Sequence, residues 1–117
     1  MPQPPLDAGG GISVAEKGRA RRFDLQIALR YRANGEDHWH RGFTRNISRS
    51  GVLFRGEVWT EPRTPLEISL SLPKEVIGAR AADVICRGMV TRSERRGSDS
   101  GGPLIATRIS QYQLVRP

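Results

Sequence analysis

Cysteine is nearly absent from this chain: Cys86 is the only one in 117 residues. No internal disulfide can form, so stability has to come from an apolar core, and a reducing compartment is the simplest setting. Lysine is almost as scarce. The net charge is +7, yet every cation except Lys17 and Lys74 is an arginine. Lysine would serve solubility equally well. Arginine adds a planar fork of donors that matches phosphate groups and guanine edges. The charge balance therefore favours anionic partners. Apolar residues make up 37% and aromatics 6%, which allows one domain with a modest core. No apolar run approaches the roughly 20 residues that a membrane helix needs. The opening stretch "MPQPPLDAGGGISVA" has no basic region followed by an apolar one. It reads as a flexible tail rather than a secretory leader, and a cytoplasmic location is expected.

Beyond that tail (1–15) comes a basic arm (16–24) containing "EKGRARRF", which has no apolar periodicity. From Leu25 the pattern becomes period two. Leu25, Ile27, Leu29 and Tyr31 alternate with polar or small residues, as in a half-buried strand. "ANGED" supplies a turn at Asn34-Gly35, and "WHRGFTRNIS" is the second strand. In a regular strand Trp39, Phe43 and Ile47 share one face, while Gly42, Thr44, Asn46 and Ser48 share the other. Trp39 is expected in the core. "VLFR" and "LEISLSL" follow, the latter with Leu66, Ile68, Leu70 and Leu72 inward. "DVICRGMVTRSE" has Val84, Cys86, Gly88 and Val90 on one side, and "PLIATRIS" is the last strand. Cys86 reads as an inert buried thiol. Short strands at this spacing predict an all-β fold, an antiparallel barrel or sandwich over 25–110 with a short tail at 111–117.

Four features invite a chemical reading. "SDSGGPL" looks like the nucleophile segment of trypsin-like proteases, but the chain is far too short for their paired barrels, and a Gly-rich loop suffices. His38 and His40 share a strand face without a convincing third metal ligand. Arg41, Arg45, Arg49 and Arg55 form an acid-free basic stretch interleaved with Phe43 and Phe54, a pattern that suits a nucleic-acid backbone or a solvated face. "TRNISRSG" is the fourth. Asn46 and Ser48 present an amide and a hydroxyl on one strand face, and Gly51 has no side chain and tolerates positive φ. A polar turn explains these residue types; so does a site for the edge of a planar ligand such as guanine.

An arginine-rich segment leading into the first strand, followed by "NISRSG" after the second, resembles the PilZ domain, a bacterial receptor for cyclic di-GMP. That family pairs an RxxxR segment with a [D/N]xSxxG segment. Asn46, Ser48 and Gly51 match the second in full. The first departs from the pattern: placing Arg22 at the second arginine puts Gly18 at the first, and the adjacent register offers Lys17 and Arg21. The resemblance spans roughly 16–110 and implies a small six-stranded antiparallel β-barrel with a flexible arginine-rich arm. It implies a non-enzymatic cyclic di-GMP receptor that needs no cofactor or metal. Asn46 and Ser48 would hold guanine and Gly51 would allow close approach. Arg21 and Arg22, with Lys17 or Arg19, would close over the phosphates, and a downstream protein would read the ordered arm. Two alternatives are a barrel of this type that has lost its ligand and serves protein interaction, and a barrel for single-stranded nucleic acid. The latter partner is less expected.

Overall fold

The computed structural model describes residues 11–13, 22–74, 81–95 and 102–115. Most of the expected basic arm, the connection at 75–80 and the loop at 96–101 lie outside the described residues. In chain order the strands are β1 (Gly11–Ser13), β2 (Ala28–Ala33), β3 (His40–Ile47), β4 (Gly51–Gly56), β5 (Pro65–Leu72), β6 (Ala82–Glu94) and β7 (Leu104–Leu114). They pair antiparallel in the order β1-β7-β4-β3-β2-β5-β6, and a further β6–β7 ladder closes the sheet into a six-stranded barrel. The alternation left barrel and sandwich open; the closed six-stranded barrel is the architecture that the PilZ resemblance implies. Closure removes free edges, so short strands of modest apolar content can be stable.

The core follows the period-two pattern. Leu66, Ile68, Leu70 and Leu72 all point inward from β5 and meet Leu29 and Tyr31 of β2 and Val84, Cys86 and Val90 of β6. Phe54, Ile105, Ile109 and Tyr112 fill the other wall. Each fully buried aliphatic or aromatic side chain contributes about 1.5–3 kcal/mol. The Tyr31 ring packs on Phe54 at 4.9 Å, and its hydroxyl both donates to the Val58 carbonyl and accepts the Val58 N–H, each at 2.8 Å. Burial pushes the Cys86 thiol up from its ordinary range, in keeping with an unreactive core residue.

Three features differ from the sequence expectation. Trp39 is not a core residue. It lies half-buried over the outward residues of β2, with the Arg32 guanidinium 4.3 Å from its ring centroid. The last strand runs past Ser110 to Leu114, and Tyr112 is buried; β1, within the expected tail, pairs with this extension from Gln111 to Gln113. The third difference is a β-bulge. The β3–β4 register shifts between Thr44 and Asn46. Thr44 stands opposite Phe54, facing in, whereas Asn46 stands opposite the half-exposed Leu53 and Ile47 opposite the buried Val52. The extra residue, Arg45, thus moves Asn46 off the inward face it would share with Gly42 and Thr44.

Two buried hydroxyls lack a hydrogen-bond partner among the described residues, Ser93 Oγ on β6 and Thr107 Oγ1 on β7, and the second belongs to a fully inward residue. Valine has nearly the same shape without the stranded hydroxyl. Thr107→Val is expected to raise stability by about 1 kcal/mol, or several degrees in Tm. A lower Tm would show that a buried water satisfies the hydroxyl.

Candidate functional site

The β3–β4 turn is built by one side chain. Ser48 Oγ accepts the N–H groups of Ser50 at 3.2 Å and Gly51 at 3.1 Å. The Ser48 N–H donates to the Gly51 carbonyl at 2.9 Å, and the buried Tyr112 hydroxyl donates to the Ser48 carbonyl at 2.8 Å. Burial raises the Tyr112 pKa, so this phenol stays protonated and remains a donor. Both acceptor positions of the Ser48 hydroxyl are thereby used, and its proton meets only 3.4 Å contacts to the Gly51 carbonyl and Ser50 Oγ. Ser48 is 5% exposed. Its first task is to shape the turn, and the O–H is the part left for a ligand. Ser48→Ala would strand two amides and is expected to cost about 1–2 kcal/mol in urea unfolding. An unchanged midpoint would show that solvent replaces the hydroxyl.

The turn borders a concave site of about 430 Å³ on the outer wall of the barrel, within the size range of small-molecule sites. Its lining includes Arg22, Asn46, Ser48, Ser50 and Gly51 from the expected region, and Thr91, Arg92 and Arg108 from β6 and β7. Arg22 reaches it because the chain before β2 is tied down along β3. Phe23 exchanges two backbone hydrogen bonds with Ile47, at 2.8 and 2.9 Å. Thr44 reinforces this path. Its Oγ1 accepts the Ile27 N–H at 2.8 Å and donates to the Leu25 carbonyl. Asn46 enters by the bulge, half-buried, with no side-chain hydrogen bond among the described residues. Its amide is free to both donate and accept toward a ligand.

Gly51 contributes space rather than an unusual backbone angle. It is a regular β4 residue paired with Arg108, and positive φ among the described glycines occurs at Gly35 and Gly102 instead. A Cβ at Gly51 would come within 3.3 Å of the Thr107 carbonyl oxygen. Across from it, Arg108 projects outward between the buried Thr107 and Ile109. Arg92 is paired with Glu94 at 3.6 Å, but both are well exposed and such a pair yields readily to a stronger anion.

The structure therefore brings together Arg22, Asn46, Ser48 and Gly51 of the expected set. Lys17, Arg19 and Arg21 lie outside the described residues. The sequence reading missed Arg92 and Arg108. The alternation of "PLIATRIS" already places Arg108 outward, but only the β4–β7 ladder puts it beside Gly51. Arg92 follows a second register shift, between Val90 and Arg92, that no local pattern announces. The result is three guanidinium groups around an amide, suited to a planar anionic ligand.

A closed antiparallel barrel with a basic site at its β3–β4 turn is the class of protein that these features define. Among solved structures, the chain is similar to the Bacillus subtilis inhibitor of motility (MotI/DgrA), with a TM-score of 0.60 and 16% identity. The match covers 92% of this chain and 47% of that one, so this chain spans about half its length. At that identity the likeness is one of fold. No family model matches the sequence, and no curated protein matches it. Among the described residues, no helix is long and apolar enough to cross a membrane.

Proposed function

We propose that this chain is a non-enzymatic receptor for cyclic di-GMP. The observation that carries the proposal is the bulge at Arg45, which turns Asn46 outward onto the wall of the site that Arg22 and Gly51 also line. These are the positions at which the sequence resembles the PilZ motif, and the shared barrel supports the same reading. Asn46 hydrogen-bonds a guanine edge, the Ser48 O–H adds a second bond, and the open space over Gly51 admits the base. Arg22, Arg92 and Arg108 meet the two phosphates with charge-assisted bonds. Lys17, Arg19 and Arg21 of the arm close over the ligand, and arm ordering is the signal that a partner protein reads. Gly18, where the family motif has arginine, favours a second reading in which the barrel has lost the ligand and serves protein interaction.

Thermal unfolding with and without cyclic di-GMP, with GTP as control, separates the two. Ligand at 100 times Kd adds about 2.7 kcal/mol, a rise of roughly ten degrees or more for a domain this size. A selective rise of that order is expected. No shift at millimolar ligand would leave the interaction reading in its place.

A further inference from the structure

The outer wall carries a second concave surface that the ligand site does not use. It has a volume of about 660 Å³ and is lined by Gln26, Arg41, Phe43, Arg45, Arg55 and Glu57, among others. Phe43 lies in it with 53% of its surface exposed, directly opposite Arg55 across the β3–β4 ladder. Arg41 stands directly opposite Arg30 on β2, a like-charge cross-strand pair that weakens a sheet. Neither Arg41 nor Arg45 makes an ion pair among the described residues. Arg55 is held in place by a 3.0 Å bond from Nη1 to the Gly102 carbonyl. The fold thus tolerates three arginines without ion-pair partners among the described residues around an exposed aromatic ring, with Glu57 as the one carboxylate in the groove.

We propose that this groove is a docking surface for an acidic protein segment that carries one apolar anchor residue. The anchor packs on Phe43, and carboxylates on either side meet Arg41, Arg45 and Arg55. Two observations favour such a segment over a nucleic-acid strand. Single-strand binders stack successive bases on successive aromatic rings. Here Phe43 is the one exposed aromatic side chain among the described residues, since Trp39 and Trp59 lie under Arg32 and Arg95 at 4.3 and 4.2 Å. The groove also ends at Glu57, whose Oε1 accepts the Arg41 backbone N–H at 3.0 Å. It repels any anion placed there, so a protein segment can set an uncharged residue at that end, whereas every nucleotide of a strand brings a phosphate. The bulge links the two surfaces, because Arg45 lines this groove and its neighbour Asn46 lines the ligand site.

The test uses the full chain without cyclic di-GMP, so its outcome is independent of the proposed ligand. The probe is a short fluorescein-labelled peptide of Asp and Glu around a central Leu-Phe pair, read by anisotropy at physiological salt. The comparison peptides replace Asp and Glu by Asn and Gln, or Leu-Phe by Ala-Ala. Saturable binding of the first peptide alone is expected. Phe43→Ala and Arg41→Gln are each expected to weaken it by about tenfold or more, with Met89→Ala on another wall unchanged. Circular dichroism verifies that each variant stays folded, and Arg45→Gln replaces any that does not. Absence of saturable binding, or equal affinity of the Phe43→Ala protein, would overturn the proposal. So would displacement of the peptide by oligo-dT at lower concentration than the unlabelled peptide requires, which would assign the groove to nucleic acid.

Discussion

Asn46→Ala is expected to weaken cyclic di-GMP binding by about tenfold to a hundredfold while leaving the melting temperature of the free protein nearly unchanged. The two halves of this expectation have separate causes. The Asn46 amide makes no hydrogen bond within the described part of the fold, so its removal strands nothing in the free protein. A base whose edge is left without its partner in a desolvated site forfeits about 1–3 kcal/mol. Arg22→Ala should fall in the same range, because Phe23 is pinned to Ile47 and holds that guanidinium at the site before any ligand arrives. Isothermal titration of the two variants and the double variant measures both losses and their coupling. Equal affinities for wild type and Asn46→Ala would place the guanine elsewhere and remove the basis for the receptor reading.

Gly88→Ala is expected to destabilise the barrel by about 3 kcal/mol or more, a fall of roughly 15 °C in Tm. Gly88 sits on the β6–β7 seam that closes the sheet, opposite Ile109 and next to a register shift at Arg87. A Cβ built there would run into the Arg108 carbonyl oxygen, with the Arg108 carbonyl carbon at 2.9 Å and Ile109 Cα at 3.0 Å. The obstacle is backbone in a closed ladder, which has no rotamer to change. Relief would require β7 to move, and Arg108 lines the candidate site, so the variant should lose ligand affinity along with stability. Gly35→Ala is the informative contrast. It has φ +87 in the β2–β3 turn but nothing within 4 Å of the added atom, so only backbone strain of about 1–2 kcal/mol is expected. Differential scanning calorimetry compares the two. A Gly88→Ala protein that melts no lower than Gly35→Ala would show that the seam is not tightly packed.

How much of the site was legible in the sequence follows from which contacts are local. The turn at Ser48 could be read, because a hydroxyl accepting the N–H groups of residues two and three positions on is a local event. Close approach at Gly51 was legible too: the Thr107 carbonyl oxygen would stand 3.3 Å from a Cβ there, whereas the positive φ that glycine also permits is not used. Arg92 and Arg108 were not, since each joins Asn46 through strand pairings that the chain before β6 does not encode. Trp39 misled the sequence reading because an aromatic at the start of a strand resembles a core residue, whereas two outward arginines of β2 supply its packing.

By itself the sequence determined β2 to β6 and the start of β7, the inward leucines and the isoleucine of β5, the scarcity of alternatives to arginine and the polar turn at 46–51. Each is set by a repeat of two residues or by a side chain and backbone a few positions apart. The tertiary structure decided which way Asn46 faces, which arginines surround it and that the sheet closes. Those depend on register between distant strands, and one extra residue at Arg45 inverts every side chain beyond it. Period two is a local property of the chain; the phase of one strand against another exists only once both are paired.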